Sequence, residues 1–187
     1  MRGAKANVAV LGAGVIGLST AVCIQESIPS AKVTIFADKF LEETLSNGAG
    51  GLFRPGLECG TDIDSIKKYY SNTYEYFLKL NASAENTGVQ SVSGYHLSSI
   101  GDSECRNEFL MELLPDMRQT SISELNVLFP DKFKFGYFYT TIITDPRYYL
   151  PWLQNKFISS GGTVERKHIE DLSSSLFLHD FDAVVNC

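Results

Sequence analysis

The feature that most restricts how this chain can fold is a glycine-rich turn near its beginning. The segment NVAVLGAGVIGLSTAVCI carries a G-x-G-x-x-G spacing over Gly12–Gly17. The apolar run Val8–Leu11 predicts a strand buried on both faces, and a helix is predicted from Gly17 to about Glu26. Lys32–Phe36 predicts a second strand. The segment therefore predicts a βαβ unit with parallel strands.

The spacing of this turn is typical of a site for the diphosphate of an adenine dinucleotide. Gly12 permits the tight turn, Gly14 lets a phosphate approach the backbone, and Gly17 lets the helix pack closely. The helix N-terminus that follows favours anions. Asp38 comes 21 residues after Gly17, where a carboxylate can accept ribose hydroxyl hydrogen bonds. The alternative is that the glycines serve only a tight turn, and the βαβ unit by itself does not distinguish NAD from FAD.

The next segment combines a loop and a helix. Glu42–Gly56 is rich in glycine and predicts a loop, with hydroxyls and bare backbone that suit an extended flavin cofactor. Asp62–Leu80 predicts a helix, because apolar and aromatic residues recur at steps of three and four. We expect that stripe to pack in the core; it consists of Ile63, Ile66, Tyr70, Tyr74 and Phe77.

The pattern changes after Gly88. Val89–Ser98 and Phe135–Ile143 predict strands, from alternation in the first and from aromatic and β-branched residues in the second. Phe109–Leu114 and Ser121–Leu128 predict short helices, the second with the Ser121 and Glu124 spacing of a capping box. This middle part therefore predicts antiparallel strands with small helices.

The last part returns to the parallel pattern. Tyr148–Ser159 predicts a helix in which Pro151 must lie in the first turn, since a deeper proline would cost about 3 kcal/mol. Glycines at 161 and 162 predict its end. Thr163–Lys167 and Ala183–Asn186 predict parallel-type strands.

The composition narrows the partners that we expect. The chain has 187 residues, with 16 Lys and Arg against 22 Asp and Glu, a net charge of -6. A basic stripe for nucleic acid is not visible, and no run approaches the ~18 apolar residues of a membrane helix. The cysteines lie too far apart in sequence to predict a metal site or a disulfide framework; they are Cys23, Cys59, Cys105 and Cys187.

Six segments together carry a resemblance to a known family. They are VLGAGVIGLSTAVCI, VTIFADKF, VSGYHL, YLPWL, HIEDL and FDAVVNC, and they run in order over the whole chain. The chain resembles the D-amino-acid oxidase family. The resemblance implies an α/β fold, in which a Rossmann-like parallel-sheet FAD-binding domain is interrupted by part of an antiparallel α+β substrate domain. The expected divisions are 1–88 and 145–187 for the FAD-binding domain and 89–144 for the substrate domain.

The resemblance also implies an activity. Members bind FAD non-covalently and deaminate D-amino acids oxidatively, giving an oxo acid, ammonia and hydrogen peroxide, with oxygen as the second substrate. For this chain an acidic substrate such as D-aspartate is expected. We expect the chain to be a truncated form that is inactive by itself, and no residue is assigned a catalytic role. The alternatives are a non-catalytic FAD-binding or nucleotide-binding fragment and an NAD-dependent oxidoreductase.

The resemblance assigns cofactor contacts by position. Asp38 and Lys39 match contacts to the adenosine ribose, and the main chain of Ile169 matches a contact on the adenine side. Leu45 and Ser46 stand where the family has a hydroxyl pair, and the backbone of Gly51 and Leu52 stands where it meets the flavin. The expected diphosphate turn is Gly12, Ala13, Gly14, Val15, Ile16 and Gly17.

Several positions depart from the family pattern. Leu45 lacks one family hydroxyl, and Asn47 replaces a customary aspartate. Arg54 replaces a neutral side chain near the substrate, so we expect it either to attract an acidic substrate or to be an ordinary solvated arginine. Three histidines are candidates by residue type alone: His96, His168 and His179. The resemblance implies a peroxisomal location, although Val185–Cys187 is not a targeting tripeptide; a cytoplasmic location is the alternative.

Overall fold

The computed structural model describes residues 6–56, 62–172 and 175–187, which form two compact units. The first unit comprises the described residues of 1–50, Asn86–Gly88 and Asp145–Cys187. The second comprises the described residues of Gly51–Glu85 and Val89–Thr144. Each unit has its own β-sheet, so the predicted α/β class with a separate antiparallel part is confirmed.

The helices and strands follow the predicted order, except that the short strand Arg118–Gln119 was not predicted. They are β1 (Asn7–Leu11), α1 (Val15–Ser27), β2 (Lys32–Ala37), α2 (Ile63–Asn81), β3 (Val89–Ser98), α3 (Glu108–Leu113), β4 (Arg118–Gln119), α4 (Ile122–Leu128), β5 (Phe135–Thr144), α5 (Pro146–Ser159), β6 (Thr163–Arg166) and β7 (Ala183–Asn186). Two short 3₁₀ turns, Leu41–Glu43 and Leu45–Gly48, lie in the segment that we predicted as a loop.

The first unit is built on a parallel sheet of four strands in the order β6-β2-β1-β7. The central strand β1 is apolar because it is covered on both faces, and Ala9 and Val10 are fully buried, as predicted. On one face, Ala9, Leu11 and Phe36 form a buried cluster with Leu178. This cluster supports the ends of β1 and β2 from which the glycine turn and Asp38 follow.

Helix α1 begins two residues earlier than the sequence predicts. Its N-cap is Gly14, which has extended backbone and offers no side chain to accept a hydrogen bond. The usual sequence signal of a helix start, a serine, threonine or aspartate cap, is therefore absent here. The fully buried side chains of Leu18 and Ala21 face the sheet.

The prediction for Pro151 is wrong. Helix α5 begins at Pro146 rather than at Tyr148, since the Asp145 carboxylate accepts a hydrogen bond from the backbone N–H of Arg147 and caps the helix. Pro151 therefore lies in the helix interior and removes one backbone hydrogen bond. The burial of Leu150, Leu153 and Phe157 stabilises the helix despite this loss.

The end of α5 follows its glycines as predicted. Gly161 has φ of 86°, the left-handed backbone that glycine adopts without strain. Its N–H donates to the carbonyl of Ile158, and the Gly162 N–H donates to the carbonyl of Phe157 at 3.0 Å. This pair of hydrogen bonds is the Schellman motif, and it turns the chain directly into β6.

The second unit is built on an antiparallel sheet in the order β3-β5-β4. Strands β3 and β5 pair along ten residues each, from Val89 opposite Thr144 to Ser98 opposite Phe135. The predicted strands are confirmed to within one residue. Ser121 caps α4 by accepting from the Glu124 N–H, but the Glu124 side chain binds Arg118 instead of completing the capping box.

The aromatic stripe of α2 is less buried than we predicted. Ile66 is the one fully buried residue of this helix, and Ile63 is 56% exposed. Tyr70 and Tyr74 are half-buried, and their rings pack at tilted angles on Phe109 and Phe53, with centroids 6.0 and 5.4 Å apart. A helical period therefore indicates which side of α2 faces protein, but not how deeply it is covered.

The first boundary between the two units lies between residues 50 and 51. Segment 51–53 joins the antiparallel unit because it hydrogen-bonds to the end of β5, with Phe53 N donating to Ile142 O at 2.8 Å. Helix α2 belongs to the same unit. Residues 86–88 return to the first unit, where Gly88 O accepts from Asp145 N. The boundary is therefore set by hydrogen bonds between segments distant in sequence, which composition does not report.

Three further expectations concern absences. Within the described residues, no helix is both long and apolar enough to cross a membrane. The described cysteines Cys23, Cys105 and Cys187 are free thiols, and Cys59 lies outside the described residues. The same part of the chain holds no group of three or more histidine, cysteine, aspartate or glutamate side chains placed to hold a metal.

Candidate functional site

The first unit contains a cavity of ≈ 630 Å³ where its parallel strands end. Its lining includes the last residues of β1, β2 and β7 and the residues that follow β6. Parallel sheets commonly bind ligands at the carboxyl ends of their strands, since helix N-termini and loops meet there. The cavity is lined by 11–17, 36–39, 44–46, 167–170, Leu172, Asn186 and Cys187.

The glycine turn forms the floor of this cavity and leaves no room for side chains. Gly12 has φ of 107°, and a Cβ there would lie 2.6 Å from the carbonyl oxygen of Cys187. A Cβ on Gly17 would overlap the carbonyl oxygen of Gly12. Gly17 is therefore required by the turn itself, a tighter constraint than the helix packing that we predicted. A Cβ on Gly14 would lie 2.9 Å from Ser46 Oγ, so the opening above this position is also narrow.

The N-terminus of α1 opens into the cavity without a carboxylate to neutralise it. Gly14 provides no side-chain cap, and the first turn of α1 contains no acidic residue. Ala13, Val15 and Ile16 line the cavity with it. The partial positive charge at the N-terminus of this helix is thus directed into the cavity. This arrangement fits the diphosphate of a dinucleotide.

Ser46 lines the cavity and also has a hydrogen-bond partner within the protein. Its Oγ accepts a hydrogen bond from the backbone N–H of Val15 at 3.0 Å and so ties the 3₁₀ turn to the start of α1. Leu45 also lines the cavity and is 98% exposed. The departure of Leu45 from the family hydroxyl pair therefore leaves an apolar side chain at the rim.

Asp38 and Lys39 lie at the same cavity, immediately after β2. The Asp38 carboxylate is half-exposed and lies 3.5 Å from His168 Nδ1. His168 was a candidate by residue type only, and the structure now places it beside the predicted ribose acceptor. The Asp38 carboxylate remains accessible enough to accept hydrogen bonds from a ligand.

Ile169 also lines the cavity, on the segment after β6. It packs against the buried cluster of Ala9, Leu11, Phe36 and Leu178, which fixes its backbone at the cavity wall. Lys167 precedes it, with Nζ 3.3 Å from the centroid of the Phe177 ring. The position predicted for adenine contact is thus held by apolar packing.

Gly51 and Leu52 are not brought to this cavity. They belong to the second unit, where Gly51 has φ of 63° and Leu52 bridges to Ile143 at the end of β5. A Cβ on Gly51 would overlap the carbonyl of Thr144, so the glycine is needed for that close pairing. Their predicted contact with a flavin stays a prediction.

Arg54 is exposed and also belongs to the second unit. Asn107 Nδ2 donates to the carbonyl of Pro55 at 3.0 Å and fixes the backbone next to Arg54. Burial lowers the pKa of His96, and the charge of Arg54 lowers it further. His96 and Tyr139 share a face of the sheet, and Arg54 also acts on the pKa of Tyr139, which burial raises. Arg54 therefore places a positive charge near this face.

Sequence reasoning missed several residues of the cavity. Lys167, Glu170 and Asn186 line it because β6 and β7 end beside β2 and β1. Their sequence signal is their place directly after predicted strands, and the strand order that makes it useful was not predicted. The third histidine candidate, His179, is absent from the residues that line the cavity.

The parallel sheet and the cavity at its strand ends define a Rossmann-type domain of the kind that binds dinucleotides. The family described as FAD dependent oxidoreductase matches residues 7–187, and this chain belongs to that family. FAD is the cofactor on which the family depends. This assignment accords with the glycine turn and with the accessible Asp38 carboxylate.

The chain is similar to named oxidases. It is 38% identical over 185 residues to a D-aspartate oxidase of Homo sapiens, covering 97% of this chain and 52% of that protein. It is 29% identical to a D-amino acid oxidase of Dugesia ryukyuensis, with 97% and 54% covered. The chain thus spans about half the length of the curated relatives it matches.

A solved structure shares the fold. The FAD-bound L-α-glycerophosphate oxidase of Mycoplasma pneumoniae superposes with a TM-score of 0.64 at 16% identity. The match covers 87% of this chain and 44% of that one.

Proposed function

We propose that the protein carrying this chain is an FAD-dependent oxidase that deaminates a D-amino acid. The observation that carries the proposal is the cavity at the strand ends, with its glycine turn and uncapped helix N-terminus. The similarity to a D-aspartate oxidase of Homo sapiens supports an acidic substrate such as D-aspartate. In the balanced reaction, the D-amino acid, oxygen and water give an oxo acid, ammonia and hydrogen peroxide.

The residues of the cavity fit the diphosphate and adenosine parts of FAD. When bound, FAD supplies the acceptor for the hydride from the substrate Cα and passes both electrons to oxygen. The N–H groups of Gly12 and Val15 already donate to Phe36 O and Ser46 Oγ, so other backbone N–H groups of the turn would hold the diphosphate. The bare Cα atoms of the three glycines would let it approach. Ser46 keeps the turn closed through its hydrogen bond to Val15 N.

The remaining contacts follow the predicted assignment. The Asp38 carboxylate accepts hydrogen bonds from ribose hydroxyls, with Lys39 and Leu45 at the same rim. The main chain of Ile169 holds the adenine side. The backbone of Gly51 and Leu52 meets the flavin, a role supported by the family resemblance alone.

Arg54 selects acidic substrates by attracting the side-chain carboxylate. This role is supported by its exposure and by its effect on the pKa of His96 and Tyr139 across the neighbouring sheet face. A guanidinium group suits a carboxylate because its fork of donors matches the two oxygens.

The cofactor part of the proposal is tested by titration of the purified chain with FAD and ADP. Saturable binding of both nucleotides is expected, because the cavity is formed within one unit. The catalytic part is tested by peroxide release from D-aspartate by the protein that carries this chain. Release from D-aspartate but not from L-aspartate supports the proposal; release from neither contradicts it.

The substrate role of Arg54 is tested by the ratio of D-aspartate to D-alanine turnover. Arg54→Met is expected to lower that ratio about tenfold, from loss of one charge-assisted contact of ~1.5 kcal/mol. Arg106→Met is the matched control, since Arg106 is a half-exposed arginine of the same unit. An unchanged ratio in Arg54→Met would refute this role.

A non-catalytic nucleotide-binding role is the second candidate. It is favoured by the lining of the cavity, whose residues all belong to the first unit. Binding of ADP and FAD with equal affinity, without peroxide release, would favour it. A peroxisomal location belongs to the oxidase proposal on family resemblance, and microscopy of a tagged protein tests it.

A further inference from the structure

The segment that carries Asp38 and Lys39 into the cavity is tied to a distant strand by one side chain. Arg166, the last residue of β6, lies 123 residues from Glu43 in sequence and binds it with two nitrogens. Its Nη2 donates to Glu43 Oε2 at 2.7 Å, and its Nη1 donates to the backbone carbonyl of Asp38 at 2.6 Å. The guanidinium group also lies over the Phe40 ring, 5.3 Å from its centroid.

Arg166 thus contacts the beginning, middle and end of segment 38–43. The Glu43 carboxylate closes this segment on itself by accepting from the Phe40 N–H at 3.0 Å. Leu41, which lies between Phe40 and Glu43, has φ of 49°, a left-handed conformation that residues other than glycine rarely adopt. An isolated loop would not hold such a residue in place, so the surrounding contacts must determine it.

Arg166 is itself outside the cavity lining, whereas Asp38 and Lys39 belong to it. Arg166 therefore does not need to touch a ligand to influence its binding. Fixing a loop in its bound conformation raises affinity, because less conformational freedom is lost when the ligand binds.

We propose that Arg166, through its two-pronged contact with Asp38 O and the Glu43 carboxylate, is a positioning residue that presets the ribose-binding segment for the adenosine half of the cofactor. This inference rests on the proposed cofactor site. It adds Arg166 to the residues on which cofactor binding depends. No motif in the sequence indicates Arg166, and it need not contact the ligand.

The test compares ADP and FAD affinities of the purified chain and three variants by calorimetry. Arg166→Met is expected to weaken ADP and FAD by the same factor, about tenfold, because both ligands share the adenosine half. The ADP and FAD affinities of Arg166→Lys should lie between those of the unaltered chain and of Arg166→Met. One ammonium group cannot reproduce the paired contacts of a guanidinium with a carbonyl and a carboxylate. Arg147→Met is the matched control, because Arg147 makes a similar fork on Asp145 in the same unit away from the cavity lining.

Glu43→Gln separates positioning from plain charge attraction. If Arg166 acts by attracting the diphosphate, removing the Glu43 charge should tighten ADP binding. If Arg166 positions the segment, Glu43→Gln should weaken ADP binding. The double variant Glu43→Gln with Arg166→Met should then bind ADP little more weakly than either single variant. Melting temperatures of the variants show whether affinity changes without global destabilisation.

The outcomes distinguish a failure of the positioning role of Arg166 from a failure of the cofactor site itself. Equal affinity in Arg166→Met and the unaltered chain, or tighter binding in Glu43→Gln, would overturn the positioning role and leave the cofactor site standing. An unaltered chain that binds neither ADP nor FAD would remove the cofactor site, and the positioning role with it. If Arg166→Met does not fold, Glu43→Gln decides alone, since it removes a charge and keeps the shape.

Discussion

Gly17→Ala is the sharpest test of the glycine turn as a ligand site. A Cβ at this position would lie 2.8 Å from the carbonyl carbon of Gly12 and would overlap its oxygen. Ordinary contact begins at 3.4 Å, so the turn must open by at least about 0.6 Å at that carbon. Forced overpacking of this kind costs about 1–3 kcal/mol. The higher helix propensity of alanine offsets about 0.5–1 kcal/mol of this cost, so the free energy of unfolding should fall by about 0–2.5 kcal/mol.

Binding should suffer more than stability, because the opened turn no longer places its N–H groups around a diphosphate. A loss of about 1–3 kcal/mol corresponds to an about 5- to 150-fold higher Kd for ADP. Calorimetric titration with ADP and a thermal melt measure the two effects separately. Gly48→Ala is the control, since a Cβ there meets nothing within 4 Å. ADP affinity of Gly17→Ala within twofold of the unaltered chain would refute the reasoning.

Three further predictions concern the cofactor acceptor, the core and acid stability. Asp38→Asn should weaken both ADP and FAD about tenfold or more in titration, because charged hydrogen bonds of ~1.5–3 kcal/mol are lost; unchanged affinity would contradict the ribose role. Phe157→Ala should lower the free energy of unfolding by about 3–5 kcal/mol in urea, since the ring is fully buried, whereas half-exposed Ile158→Ala should change it far less; similar losses would exclude a core role. Hydrogen bonds from Arg118 lower the pKa of Glu124 to about 2, below its ordinary value of 4.5. The stabilisation is therefore complete above pH 4.5 and is lost as the pH falls towards 2, and melting temperatures of Glu124→Gln should show a smaller fall over that range.

The strands were predictable because their signals are local. Strand β1 is uniformly apolar and buried from Val8 to Leu11, so its sequence reports its own environment. Strand β3 was predicted from sequence alternation, although its burial does not alternate. The start of α1 was not predictable in the same way, because its cap is a glycine with no side-chain signal. Pro151 was misplaced for a related reason, since the cap that begins α5 is Asp145, which the sequence presents as part of a turn.

The residues of the candidate site likewise divide into those with a local sequence signal and those without one. Gly12, Gly14 and Asp38 were found because their spacing from predicted strands is fixed by the βαβ unit, whereas Ser46 was found through the family resemblance. Lys167 and Asn186 were not found, since they reach the cavity only through the order β6-β2-β1-β7. Strand order depends on which strands pair across long sequence separations, and no local pattern encodes it.

The contact between Arg166 and Glu43 illustrates what a motif search omits. The G-x-G-x-x-G spacing identifies the groups that meet a diphosphate. It does not indicate what holds segment 38–43, the ribose-binding wall of the cavity, in place. That wall depends on a residue 123 positions away, together with a strained Leu41 that has no function by itself. Because an unsupported wall would need ordering on each binding event, the affinity of such a site depends on residues that never touch its ligand. Conservative substitutions at the motif and disruptive ones at its supports should therefore have comparable effects on nucleotide affinity.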